Sequence, residues 1–210
     1  NIFEINEMST QSYIKWIETN LPENCIVGYD PELFSIAEIE TFIKRFENHH
    51  IKLKSISDNL IDKIWSKIPS QKQVIISDHK IEYSGIQRAE KLNKLIDKFI
   101  KSQDEALFVG DNNFISSFTN LRAYRNEYTP AVPAFCVITA NNCHLFLENC
   151  RINKNDVTKI ATDIRIHDLK DFKRDIANIL KNVKIVKLDK KDTTIFVQET
   201  LKKLNIKVLH

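Results

Sequence analysis

Ala134-Phe135-Cys136-Val137-Ile138-Thr139-Ala140-Asn141-Asn142-Cys143-His144-Leu145-Phe146-Leu147-Glu148 places two apolar runs on either side of a pair of asparagines, and this stretch decides the fold class. Asparagine tolerates positive φ, so residues 141–142 read as a two-residue hairpin turn joining strands 134–140 and 143–148. A hairpin forces antiparallel pairing. Elsewhere the chain alternates helix-like with strand-like segments, which favours crossover connections. The expectation is therefore α/β: a mixed β-sheet flanked by helices rather than an all-parallel one.

Upstream of the hairpin, Glu105-Ala106-Leu107-Phe108-Val109 reads as a strand ending at Gly110. Residues 85–102 form the best helical pattern, with Ile86, Ala89, Leu92, Leu95, Ile96, Phe99 and Ile100 at helical spacing behind a Ser84/Gln87 capping box. Val74-Ile75-Ile76 opens this α/β unit, and residues 114–118 read as a helical turn. Downstream, residues 161–166 read as a strand, and Asp168 caps a helix carrying Leu169, Phe172, Ile176, Ile179 and Leu180. Strand 183–188, helix 194–204 and strand 206–209 follow.

Residues 1–58 carry a smaller, partial α/β pattern: an amphipathic helix over 9–18, a strand over 25–29, a turn at Asp30-Pro31 and a strand over 52–56. Between the two strands, a Ser35/Glu38 capping box precedes Ile36, Ile39, Phe42, Ile43 and Phe46. Residues 59–73 read as a connection with one or two helical turns, where Trp65 is expected to pack at a junction. The organisation expected is thus 1–58, 59–73 and 74–210.

Composition limits the function. A chain of 210 residues with 42% apolar content supplies one good core, or one core with a smaller attached piece. Its 31 basic and 28 acidic residues are interleaved, and no aromatic-basic stripe accompanies them, which disfavours nucleic acid as a partner. No apolar run approaches the roughly 20 residues of a membrane span, and the first residues lack the pattern of a secretion signal, so a cytoplasmic chain is the expectation. Cys25, Cys136, Cys143 and Cys150 include no C-x-x-C pair and are read as structural thiols. Three glycines leave no room for a P-loop or a nucleophile elbow, and H-E-x-x-H is absent.

Several short motifs occur in one order. They are Gly28-Tyr29-Asp30-Pro31 with Leu33 and Ser35; Asn59-Leu60-Ile61-Asp62 through Ile64-Trp65, with Pro69 four residues on; Tyr83-Ser84-Gly85 ahead of Glu90-Lys91-Leu92; and Asn120-Leu121-Arg122. In type and spacing the set resembles the amino-terminal, non-catalytic region of the three-domain Xaa-Pro aminopeptidases (aminopeptidase P) of the creatinase/prolidase group, peptidase family M24. The resemblance spans residues 9 to 205. It implies a creatinase N-terminal-domain-like fold for 74–210, the end of the family's first domain for 1–58, and a fragment of a longer polypeptide. Ile68-Pro69 stands where the family has Arg-Pro. The approach to Asn120 keeps Asp111 but lacks the family's tryptophan, and Ala123-Tyr124-Arg125 replaces Gly-Ser-Asp.

In that family a carboxy-terminal catalytic domain holds two divalent metals, usually manganese, which generate a hydroxide and polarise the carbonyl of an Xaa-Pro bond. The amino-terminal domains cover the cleft and contribute to a homodimer. The resemblance therefore implies no cofactor and no catalytic residue in this chain, which alone should not cleave peptides. It implies its own catalytic domain and a proline-containing peptide as partners. Asp111, Asn120, Arg122, Tyr124 and Arg125 are the cleft-facing candidates, with an Arg122–Asp111 ion pair pinning the loop as the structural reading of the two. The rival expectation is a non-enzymatic protein-binding module of the same fold.

Overall fold

The structure is a computed structural model, and it describes residues 10–66, 73–124, 128–148 and 150–210. In chain order the elements are α1 (Thr10–Asn20), β1 (Ile26–Tyr29), α2 (Ile36–Phe46), β2 (Lys52–Ser55), α3 (Leu60–Ile64), β3 (Val74–Asp78) and α4 (Ile81–Ser84). There follow α5 (Arg88–Phe99), β4 (Glu105–Val109), α6 (Asn112–Thr119), β5 (Leu121–Ala123), β6 (Ala134–Thr139), β7 (Cys143–Leu147) and β8 (Cys150–Ile152). The chain closes with α7 (Val157–Ala161), β9 (Ile164–Asp168), α8 (Phe172–Ile179), β10 (Ile185–Lys187), α9 (Ile195–Lys203) and β11 (Lys207–Leu209).

The central sheet is mixed, as the hairpin requires. Its six strands run β11-β10-β4-β6-β7-β9. The β6–β7 hairpin is antiparallel, β6 is also antiparallel to β4, and β10 is parallel to both β4 and β11. A second sheet, β5-β3-β8, lies beside it, and β1 and β2 form a parallel pair of their own.

Both faces of the central sheet are covered, and the strands alternate between two cores as the period of two dictates. Ala106, Phe108, Val137 and Phe146 join the first core with Ile14, Ile36, Ile39, Phe42, Phe46, Phe172, Ile176, Val197 and Leu201 from α1, α2, α8 and α9. Leu107, Val109, Cys136, Ile138, Cys143 and Leu145 face the second core with Leu92, Ile115, Phe118 and Ile160 from α5, α6 and α7, and with Ile76 and Leu121. Each fully buried side chain of this size contributes roughly 1.5–3 kcal/mol. The leading segment thus shares one core with the central sheet.

Three local expectations are corrected. The Ser84/Gln87 capping box does not form: Gly85 at φ 71 ends the short α4, α5 starts at Arg88, Gln87 makes no side-chain cap bond, and the Ser84 hydroxyl is buried without a partner. Neither Asn141 nor Asn142 has positive φ; a four-residue turn over 139–142 closes instead, with the Thr139 amide donating to the Asn142 carbonyl at 2.9 Å and the Asn142 amide donating to Thr139 Oγ1 at 3.1 Å. Trp65 is 50% exposed rather than packed, because α3 is a short helix whose Leu60, Ile61 and Ile64 also face outward. The Ser35/Glu38 box forms as expected. Cys136 and Cys143 are buried with sulfurs 3.5 Å apart, whereas Cys25 and Cys150 are half-buried.

Candidate functional site at the two ends of helix α6

Asp111 and Asn120 bracket α6, and each is held there by backbone chemistry. Asp111 is the N-cap: its Oδ1 accepts from the amides of Asn113 at 2.7 Å and Phe114 at 3.1 Å, satisfying donors that have no partner inside the helix. Asn120 is the C-cap in the left-handed conformation, φ 51 and ψ 36, which asparagine adopts more readily than most residues. The residue is 4% exposed; its side chain donates from Nδ2 to the Ile86 carbonyl at 2.8 Å and accepts from Lys91 Nζ at 2.6 Å. Eight residues at about 1.5 Å rise put the two ends about 12 Å apart. Arg122 therefore has no bond to Asp111, and the expected ion pair between them is replaced by other partners.

Those partners are backbone carbonyls, one in α6 and one in β5. Arg122 Nη1 donates to the Ser116 carbonyl at 2.7 Å and the Leu121 carbonyl at 2.8 Å. Lys91 Nζ donates to the Ser117 carbonyl at 2.9 Å, and Arg88 Nε to the Thr119 carbonyl at 2.6 Å. Three cations from two elements, α5 and β5, thus satisfy the free carbonyls of α6 and face the negative end of its dipole. His79 joins them: its amide donates to the Asn120 carbonyl at 2.7 Å, next to the β3–β5 pairing that sets Ser77 opposite Arg122.

The three cations differ in their counter-charge. Arg88 is buried and pairs with Asp78, which also takes Lys159, while Asp163 lies 3.6 Å from the guanidinium. Neither Lys91 nor Arg122 has a carboxylate within ion-pair distance among the described residues. Burial first, and the Arg122 charge second, push the Lys91 amine below its usual range. His79 is pushed down by burial, then Arg122 and Lys91, against the opposing pull of Asp78. Its ring lies 5.6 Å from that of Tyr83, which is exposed, as is Tyr124 just past Arg122. Arg125 lies outside the described residues.

The amino end of α6 faces a different feature, an open cleft of about 890 Å³ at the carboxyl ends of β4, β10 and β11, where open α/β sheets place ligands. Asp111, Phe114, Leu188, Asp192, Leu209 and His210 line it. Gly110 is required there, because a Cβ would come 1.9 Å from the Asp192 carbonyl oxygen. Burial, then Asp189 and Asp111, raise the Asp192 carboxyl above its usual range. Sequence reasoning thus grouped five residues into one cleft, and the structure brings Asn120, Arg122 and Tyr124 together while setting Asp111 apart. It missed His79, Lys91 and Arg88, which tertiary packing alone delivers. It also missed the chain Asp175–His167–His144, with atoms 3.1 and 3.0 Å apart, whose members come from α8, β9 and β7.

With this geometry in place, relatives can be compared. Residues 67–209 match the creatinase/prolidase N-terminal domain. The chain belongs to the creatinase/prolidase N-terminal domain family. It is 23% identical over 189 residues to Aminopeptidase P1 of Lotus japonicus, covering 89% of this chain and 27% of that protein. It is 28% identical over 145 residues to the Xaa-Pro aminopeptidase ApepP of Drosophila melanogaster, covering 69% and 24%. The chain thus spans about a quarter of the length of these curated relatives. A crystal structure of an X-prolyl aminopeptidase from Caenorhabditis elegans, described as a cytosolic enzyme with a di-nuclear active site, superimposes with a TM-score of 0.78 at 18% identity. The match covers 98% of this chain and 34% of that one. At that identity it establishes the fold, as the sequence reading expected.

Proposed function

We propose that this chain is the non-catalytic N-terminal region of a metal-dependent Xaa-Pro aminopeptidase, where it shapes and gates the catalytic cleft and supports dimerisation in the cytoplasm. The observation that carries this reading is that almost the whole chain, 98%, falls on 34% of an X-prolyl aminopeptidase. Among the described residues no three His, Cys, Asp or Glu side chains gather so as to hold a metal ion. In this reading the pair of divalent metals, manganese, belongs to polypeptide outside this chain, and the residues of this chain take no part in the bond-breaking step. What its own residues do is present a rigid cationic corner, fixed by Asn120, to a peptide or to the neighbouring domain.

The test compares this chain with a protein extended to the full length of its relatives, each supplied with manganese and an Xaa-Pro peptide. The longer protein is expected to release the amino-terminal residue and the chain alone to release none. Turnover by the isolated chain, or none by an extended protein that carries the metal ligands, refutes the reading. An extension lacking those ligands favours a protein-binding module.

A further inference from the structure

Arg122 spends Nη1 on two carbonyls, so its Nε and Nη2 remain, and no protein partner of either is found among the described residues. That edge of a guanidinium presents two parallel N–H groups, spaced to meet the two oxygens of one carboxylate. Lys91 stands beside it, its ammonium held over the neighbouring Ser117 carbonyl. Asp78 is already taken by Arg88 and Lys159, and Asp163 lies against Arg88. Charges of one sign, locked by hydrogen bonds to backbone and with no carboxylate in ion-pair range among the described residues, are relieved by an incoming anion. The pre-set orientation also spares most of the ordering cost of binding.

We propose that Arg122, Lys91 and His79, at the carboxyl end of α6, form a receptor for the carboxylate of an extended peptide; the choice of a peptide as carrier rests on the aminopeptidase reading above. The Nε–Nη2 edge of Arg122 takes the two carboxylate oxygens, Lys91 adds its charge, and His79 titrates in response. Tyr83 and Tyr124, both exposed beside these cations, offer apolar faces to the residues that precede the carboxylate.

The pH dependence follows from the groups that face His79: Asp78 on its own strand, Arg122 on β5, Lys91 on α5, and the Tyr83 ring on α4. In the free chain burial and the two cations hold the imidazole below its usual value. A bound carboxylate opposes them and raises it. Affinity for the carboxylate therefore increases as pH falls through the interval between the bound and free His79 values.

The experiment is an NMR titration of this chain with Ala-Pro-Ala bearing a free carboxylate, with the same tripeptide as its carboxy-terminal amide, and with acetate. The expected result is that the acid shifts the Arg122 Nε and His79 ring signals and binds about tenfold or more tighter than the amide, the scale of one charge-assisted contact. Arg122→Gln and, separately, Lys91→Gln are each expected to erase that preference while the amide spectrum stays that of the folded chain. Equal binding of acid and amide overturns the receptor, as does an unchanged preference in both variants. Acetate binding as tightly as the tripeptide acid overturns the peptide as carrier. If the acid preference holds while the extended protein hydrolyses no Xaa-Pro peptide, the receptor stands and the aminopeptidase reading falls.

Discussion

The two ends of α6 solve the same problem with opposite consequences. At the amino end one carboxylate, Asp111, satisfies two amides and closes the account locally. At the carboxyl end the carbonyls are satisfied by Arg88, Lys91 and Arg122; Asp78 and Asp163 balance Arg88, whereas Lys91 and Arg122 have no carboxylate within ion-pair distance among the described residues. The lesson is that capping and binding are separable. An end capped with matched charge is finished structure, whereas an end capped with surplus charge is structure that still has something to attract.

The largest predicted effect tests the balanced member of the trio. Arg88→Met removes the guanidinium that Asp78 and the Thr119 carbonyl share in a buried setting, and should destabilise the chain by about 3–5 kcal/mol, read from urea unfolding. A loss below about 1 kcal/mol would mean that Arg88 is no more structural than Arg122. Next comes the amino end: Gly110→Ala drives a methyl group onto the Asp192 backbone and should cost about 1–3 kcal/mol. Asp111→Ala removes the N-cap alone and should cost about 1 kcal/mol in the same assay.

The smallest stability effect belongs to the surplus charge. Arg122→Gln, where the amide can replace part of the carbonyl bonding, should cost about 0.5–1 kcal/mol while raising the His79 pKa, followed by NMR, because one of the cations that depress it is gone. A pH series away from α6 supplies the contrast. His144 is held down to about 4 by burial, then His167 and Arg165. Its folded value lies below the unfolded one near 6.5, so its contribution to stability is complete above that value and lost as pH falls towards 4. His144→Phe should flatten that part of the stability curve, and an unchanged slope would place the titration elsewhere.

Much of the fold was legible because it was written at short range. The β6–β7 runs announced a hairpin, and hence a mixed sheet, and Ser35 with Glu38 announced the start of α2 by spacing alone. β5 and β8 were not legible, since three residues each, as in Leu121–Ala123 and Cys150–Ile152, carry too little alternation. Gly85 broke the reading of α5 because one positive φ outweighs a capping pattern. At the site, Asn120, Arg122 and Tyr124 were readable through a family resemblance in one contiguous stretch. Lys91 and His79 were not, because α5 and β3 lie far away in sequence and only folding sets them against the same helix end.

The central claim is that the surplus-charge end of α6 faces the peptide in the complete protein. Hydrogen exchange on a protein of the relatives' full length, with and without a non-hydrolysed Xaa-Pro peptide ending in a free carboxylate, tests it most directly. The account predicts added protection at residues 79–84 and 121–124 and none at 110–113. Protection at the Asp111 end instead, or at neither, would contradict it.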